Sequence, residues 1–163
     1  MSVEVIIRHE DRRTLAMRIT PEGVVVLLPQ SVDPGSAQVQ DFIAAGLAQL
    51  PAPEPLAEPM GREALEALVD QWARRLKVVI REIRVREMRR KWASFSSNGV
   101  LTVARDLLTL PRELVEYAIC HELLHQRLPD HGKGFQAMLT AWMPDWRERE
   151  RRLMVQGISQ KER

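Results

Sequence analysis

Four prolines, Pro51, Pro53, Pro55 and Pro59, fall within nine residues and exclude a regular helix or an interior strand there. Each ring fixes φ and removes a backbone donor, so the stretch reads as a stiff, extended connection. It divides the chain into a lobe over residues 1–50, a linker over 51–60 and a second domain over 61–163. Whatever core each part builds must come from its own side of that break.

The 163 residues are 45% hydrophobic and 28% charged, a soluble globular composition that excludes disorder. No apolar run approaches the roughly 18 residues a membrane span needs, so no membrane partner is expected. The start, Met1-Ser2-Val3-Glu4-Val5, has neither a basic opening nor an apolar signal core, and a cytoplasmic location is expected. One cysteine, Cys120, excludes an internal disulfide framework and a cysteine-rich zinc module.

Before the prolines, Val3–Ile7, Thr14–Ile19 and Val24–Leu28 are β-rich runs separated by His9–Arg13 and by the turn Thr20-Pro21-Glu22-Gly23. A three-stranded antiparallel meander follows, then a helix over Ser36–Leu50 with Phe42, Ile43 and Leu47 inward. After the prolines, Gly61–Lys77 sets Leu65, Leu68, Val69, Trp72 and Leu76 at helical spacing. Val78–Met88 reads as a strand. Trp92–Ser96 and Val100–Ala104 form a hairpin turning at Ser97-Asn98-Gly99. A long helix spans Pro111–Leu128, ended by Pro129. Two further helices run over Gly134–Met143 and from Asp145 to about residue 155.

The long helix carries His121-Glu122-Leu123-Leu124-His125. Positions four apart on a helix lie about 40° apart around the axis and about 6 Å along it, so both imidazoles can converge on one cation. Glu122 projects to the flank, within reach of a bound water without ligating. Shuffling a chain with 4 His produces such an H-E-x-x-H match only about 1% of the time. His131 lies six residues after His125, and the Leu128-Pro129-Asp130 turn can swing it over the same face. Three protein ligands with one open position is the catalytic zinc arrangement, whereas structural sites fill all four. Nickel or cobalt fits the same ligands.

Leu114, Ala118, His121, His125 and Leu128 share one helix face, and histidines beside an apolar stripe need polar partners, which a metal supplies. Cys120 is rotated away from the pair and reads as a small packed residue. Tyr117 lies near the His121 face, with packing and hydrogen bonding to an oxyanion or a ligand both open to it. Trp72, Trp92, Trp142 and Trp146 read as core or rim.

The net charge of +2 conceals two blocks. Residues 33–70 sum to −6, and residues 74–91 to +7. The basic block reads first as a solvated face and second as a surface for a nucleotide or nucleic acid.

The stretch from about Arg84 to Gly157 resembles the YgjP-like metallopeptidase domain, a bacterial and archaeal zincin group related to the WLM and SprT-like proteases. The resemblance rests on the basic strand leading to Trp92, Ser94, Ser96 and Gly99, and on Leu107 to Pro111. It continues through Tyr117, the histidine motif, His131, Phe135, Met143-Pro144-Asp145 and Arg147. It implies metal ligation by His121, His125 and His131 with Glu122 catalytic. This chain has Trp92-Ala93-Ser94-Phe95 where the family shows Trp-Gly-Ser-Cys, and Ala104 where asparagine is common. Both departures fall on the strand expected to line the cleft, so they bear on substrate handling.

The expected fold is α+β, a zincin-like domain with a small antiparallel sheet packed on the active-site helix, plus an N-terminal β-rich lobe. The expected function is zinc-dependent hydrolysis of a peptide or protein, Glu122 acting as general base. Alternatives are hydrolysis of a nucleoside triphosphate phosphoanhydride, attributed to some members of the family, and a nucleic-acid-associated protease or binding module. Oligomeric state is not legible.

Overall fold

The computed structural model describes residues 3–20 and 23–161, with side-chain positions through residue 157. Met1 and Ser2, and the central Pro21-Glu22 of the expected turn, lie outside the described residues. The chain divides into two units, Met1–Pro53 with Arg151–Arg163, and Glu54–Glu150. No described helix is long and apolar enough to cross a membrane.

In the first unit, β1 (Val5–Glu10), β2 (Ala16–Thr20) and β3 (Gly23–Pro29) form one sheet in the order β1-β3-β2. β1 runs parallel to β3 and β2 antiparallel to it, which corrects the expected antiparallel meander. Hydrophobicity decides the order. Val24 to Leu28 is apolar at every position and buried throughout, so β3 takes the centre, where both faces are covered. β2 carries the exposed Arg18 and suits an edge. Helix α1 (Ala37–Ala48) begins at the Ser36 cap, whose hydroxyl accepts the Val39 N–H, and lays Val39 and Ile43 on Val24, Val26 and Leu28.

Residues 51–61, of which 51–53 belong to the first unit and the rest to the second, form neither helix nor strand, and most are exposed. Within the second unit the Ala57 and Met60 N–H groups donate to Thr109 and Leu108 carbonyls at 3.0 and 2.8 Å. These bonds tie the segment to a 3-10 turn (Arg105–Thr109) that the sequence reading did not anticipate.

Helix α2 (Arg62–Leu76) buries Leu65, Leu68, Val69, Trp72 and Leu76, the expected stripe, and ends at Lys77 in the left-handed conformation. The second sheet has β4 (Glu82–Arg86), β5 (Ala93–Phe95) and β6 (Val100–Ala104) in the order β4-β6-β5. β5 and β6 make the expected antiparallel hairpin, with Gly99 at φ 81° in its turn. β4 runs parallel to β6, so the sheet is mixed and the expected antiparallel sheet is corrected. Again the apolar strand is central. Leu101 and Val103 of β6 are fully buried, while β4 alternates with Glu82, Arg84 and Arg86 exposed, as an edge requires.

Helix α3 (Arg112–Leu124) is the histidine-bearing helix, ending four residues before the expected Leu128. Helices α4 (Lys133–Trp142) and α5 (Trp146–Lys161) follow. α3 packs on α2 through a polar contact inside an apolar seam. The Trp72 indole donates to Glu116 Oε1 at 3.0 Å, and Arg149 of α5 donates to Glu116 Oε2 at 3.1 Å and to the Glu113 carbonyl at 3.2 Å. Trp72 is 1% exposed, so deleting its acceptor strands a buried N–H. Glu116→Ala is therefore expected to destabilise the fold by about 1–3 kcal/mol. Breaking the exposed Arg74–Asp70 pair should change stability by no more than about 0.5 kcal/mol. Urea melts of both variants check this, and equal midpoints would discard the role of Glu116.

Candidate metal centre

α3 sets His121 and His125 one turn apart on the same face, and His125 closes the helix with φ −60° and ψ −21°. Arg127 and Leu128 N–H groups return to the Leu124 carbonyl, each at 3.0 Å. Pro129 forbids another turn of helix. Asp130 Oδ1 accepts the Gly132 N–H at 2.8 Å, a local turn that brings His131 back. The three histidines named from the sequence thus meet. His125 Nε2 and His131 Nε2 each lie 3.1 Å from His121 Nε2, and the three candidate donor atoms lie within 4.8 Å of one another.

The tautomers follow from the outer nitrogens. His125 Nδ1 lies 3.1 Å from the Leu128 carbonyl oxygen, which only accepts, so Nδ1 holds the proton and Nε2 is a lone pair. His121 Nδ1 lies 3.2 Å from the Tyr117 hydroxyl, which can accept its proton in the same tautomer. Burial, reinforced by His125 and His131, pushes the His121 imidazole down to about 4, so its ring is neutral at pH 7. Lone pairs this close repel unless a proton or a cation lies between them. Nitrogens held 2.0–2.1 Å from a tetrahedral centre stand about 3.3–3.4 Å apart, within a few tenths of an ångström of the two 3.1 Å separations from His121 Nε2. The donor set fits a divalent ion that accepts imidazole nitrogen.

Phe135 of α4, 2% exposed, supports all three rings. Its centroid lies 5.0, 4.7 and 5.0 Å from those of His121, His125 and His131, and it stacks on His125. The sequence reading reached Phe135 only through the family resemblance, because nothing local marks an aromatic as the floor of a histidine cluster.

Glu122 points from α3 towards β5, where the Phe95 N–H bonds to its carboxylate. Burial pushes its carboxyl up to about 7, opposed by the charge of Lys91 and by that hydrogen bond. Glu122 stands outside the three-nitrogen cluster. Tyr117 is buried and burial raises its phenol, so it supports His121 as a neutral hydroxyl.

Glu150 of α5 went unnoticed in the sequence, where no spacing ties it to the motif. It is half-buried, its carboxyl raised by burial and lowered by His131 and Arg147. Cys120 is 1% exposed and burial pushes its thiol up to about 12, in keeping with the packed role expected. Iodoacetamide at pH 8 should leave Cys120 unmodified in the folded protein and alkylate it in urea. Rapid native labelling, read by mass spectrometry, would contradict that burial.

Three converging imidazoles beside a half-buried carboxylate are the donor set of a metal-dependent hydrolase. The sequence model of the YgjP-like family, metallopeptidase domain, matches residues 56–156. The chain belongs to that family, whose domain is that of a metallopeptidase, a hydrolase.

The crystal structure of the metallopeptidase zymogen abylysin of Pyrococcus abyssi is similar at 25% identity and TM-score 0.50, covering 56% of this chain and 92% of that one. The metallopeptidase zymogen jannalysin of Methanocaldococcus jannaschii matches at 26% identity and TM-score 0.48, over 53% of this chain and 89% of its own. None of the curated protein sequences matches the chain.

Proposed function

We propose that the chain is a zinc-dependent metallopeptidase of zincin type, with His121, His125 and His131 as ligands and Glu122 as general base. The observation that carries this reading is the convergence of three Nε2 atoms whose outer nitrogens, in His121 and His125, are already occupied by Tyr117 and Leu128. When bound, the ion supplies Lewis acidity, polarising the scissile carbonyl and acidifying a water. Glu122 takes the proton of the attacking water and returns it to the leaving amine. A carboxyl poised near neutrality suits both transfers, and the Phe95 N–H holds it in place between them. Phe135 keeps the floor of the cluster dry.

β5 supplies the binding edge. Ser96 pairs with Val100 and Trp92 with Ala104, so the alternation turns the backbone groups of Ala93 and the Phe95 carbonyl away from β6, the Phe95 N–H being engaged by Glu122. An extended peptide adds to such an edge by main-chain hydrogen bonds, which tolerate the side-chain changes at Ala93 and Phe95. Hydrolysis of an unfolded protein by the zinc-loaded chain, abolished by a chelator and restored by zinc, tests the reading. Inertness of the loaded protein towards every peptide would sink it.

One observation favours a second reading, hydrolysis of a nucleotide phosphoanhydride. Arg89, Arg90 and Lys91 are exposed and make no ion pair within 4 Å among the described residues, and the Lys91 charge reaches Glu122. Reversing the charge at these three positions is expected to leave peptide turnover within about twofold, as for exposed groups. A large rise in KM for a nucleoside triphosphate, with peptide kinetics unchanged, would instead establish the nucleotide as substrate.

A further inference from the structure

The binding edge proposed on β5 leaves the opposite edge of the same sheet, β4, without a role. A face of α2 stands beside β4, and between them lies a cleft of about 760 Å³, lined from Arg62 to Lys77 on the helix and by residues 78–83. The Glu82 N–H donates to the Gly99 carbonyl at 3.4 Å, so Glu82, Arg84 and Arg86 turn their backbone groups to β6. Ile83 and Val85 therefore turn theirs outward. The Arg62 guanidinium, across the cleft, donates to the Ile83 carbonyl at 2.8 Å, in keeping with that direction. The Ile83 N–H and both backbone groups of Val85 have no partner among the described residues. Such free edge groups are a template for pairing with another chain.

The lining is apolar beneath and cationic above. Val69, Ala73 and Val78 are buried, while Val79 is 72% exposed. The acidic groups are paired: Glu66 with Arg62 at 2.6 Å, Asp70 with Arg74 at 3.0 Å and Glu82 with Arg84 at 2.6 Å. Lys77 and Arg81 are exposed and make no ion pair within 4 Å among the described residues. We propose that this cleft docks an acidic, extended segment of a partner protein, its backbone paired to Ile83 and Val85 and its carboxylates on Lys77 and Arg81. Charge selects the sign of the occupant, since both free cations belong to the +7 block of residues 74–91. The lining selects a peptide over a nucleic acid. No aromatic ring lines the cleft among the described residues, so bases have no face to stack on, whereas free edge groups and an apolar floor suit an extended chain.

The test uses the full zinc-loaded chain carrying Glu122→Gln, which limits cleavage of the probes. These are short fluorescent peptides alternating valine with glutamate or with lysine, and a fluorescent thymidine oligonucleotide. The glutamyl peptide should bind at least about 10-fold more tightly than the lysyl one. Lys77→Glu combined with Arg81→Glu should weaken it by about 10-fold, each exposed charge contact being worth a few-fold. N-methylation of alternate peptide groups should abolish binding in one register and spare it in the other, as pairing along a single edge requires. Amide hydrogen exchange at Ile83 and Val85 should slow when the glutamyl peptide is bound.

Equal affinity for the two peptides, or an affinity untouched by the double charge reversal, would overturn the proposal. Exchange protection confined to β5 would do the same, by placing the peptide on the other edge. An oligonucleotide that binds through Lys77 and Arg81 more tightly than the glutamyl peptide would assign the cleft to nucleic acid, and binding of neither peptide would leave β4 a bare edge. The histidine cluster takes no part in this docking, so each of these results leaves the peptidase reading standing.

Discussion

Glu122→Gln is expected to keep one zinc per chain and to lower kcat by about 100- to 10,000-fold, the contribution of a positioned proton acceptor. The amide is isosteric and can still face the Phe95 N–H through its oxygen, so the geometry between α3 and β5 is preserved. It cannot take a proton from water. Since Glu122 stands outside the three-nitrogen cluster, metal analysis should not distinguish variant from wild type. A variant with bound zinc and wild-type turnover would show that another group is the base.

His125→Ala and His131→Ala are each expected to weaken zinc binding by well over the 10- to 100-fold that loss of a supporting partner causes, and to abolish hydrolysis. Tyr117→Phe supplies that comparison, since it removes only the partner of His121 Nδ1 at 3.2 Å. Zinc at 1,000 times its Kd should stabilise the wild-type fold by about 4 kcal/mol, and that increment should vanish in both alanine variants. Thermal melts with and without zinc, beside a competition titration against a chelating dye, read both effects. Undiminished zinc-induced stabilisation in either alanine variant would remove that histidine from the ligand set.

Much of the site was legible because its parts are close in sequence. Helical periodicity sets His121 and His125 on one face wherever the helix docks, and a proline two residues before His131 makes the return turn a local matter. The start of α1 after Ser36, the span of α2 between Gly61 and Lys77 and the Gly99 turn were readable for the same reason, each depending on a few adjacent residues. Strand order was not local. A meander is the shortest path through three strands, yet both sheets put their most apolar strand, β3 and β6, in the middle and left a parallel partner on one side. Burial of Val24–Leu28 on both faces outweighs the shorter connection.

The amino-acid sequence by itself determined which residues could gather around an ion, since three imidazoles at spacings of four and six meet through one helix and one turn. Only the tertiary structure decided what surrounds them. Phe135 under the rings, the Phe95 N–H on Glu122 and the Lys91 charge that acts on it come from α4, β5 and the segment before β5. Phe135 lies 10 residues from the His125 ring it stacks on, and Phe95 and Lys91 lie 27 and 31 residues from Glu122, separations no helical or strand period encodes. The reason is physical: a turn of helix is specified by neighbours in the chain, whereas the walls of a cleft are specified by which apolar faces bury each other.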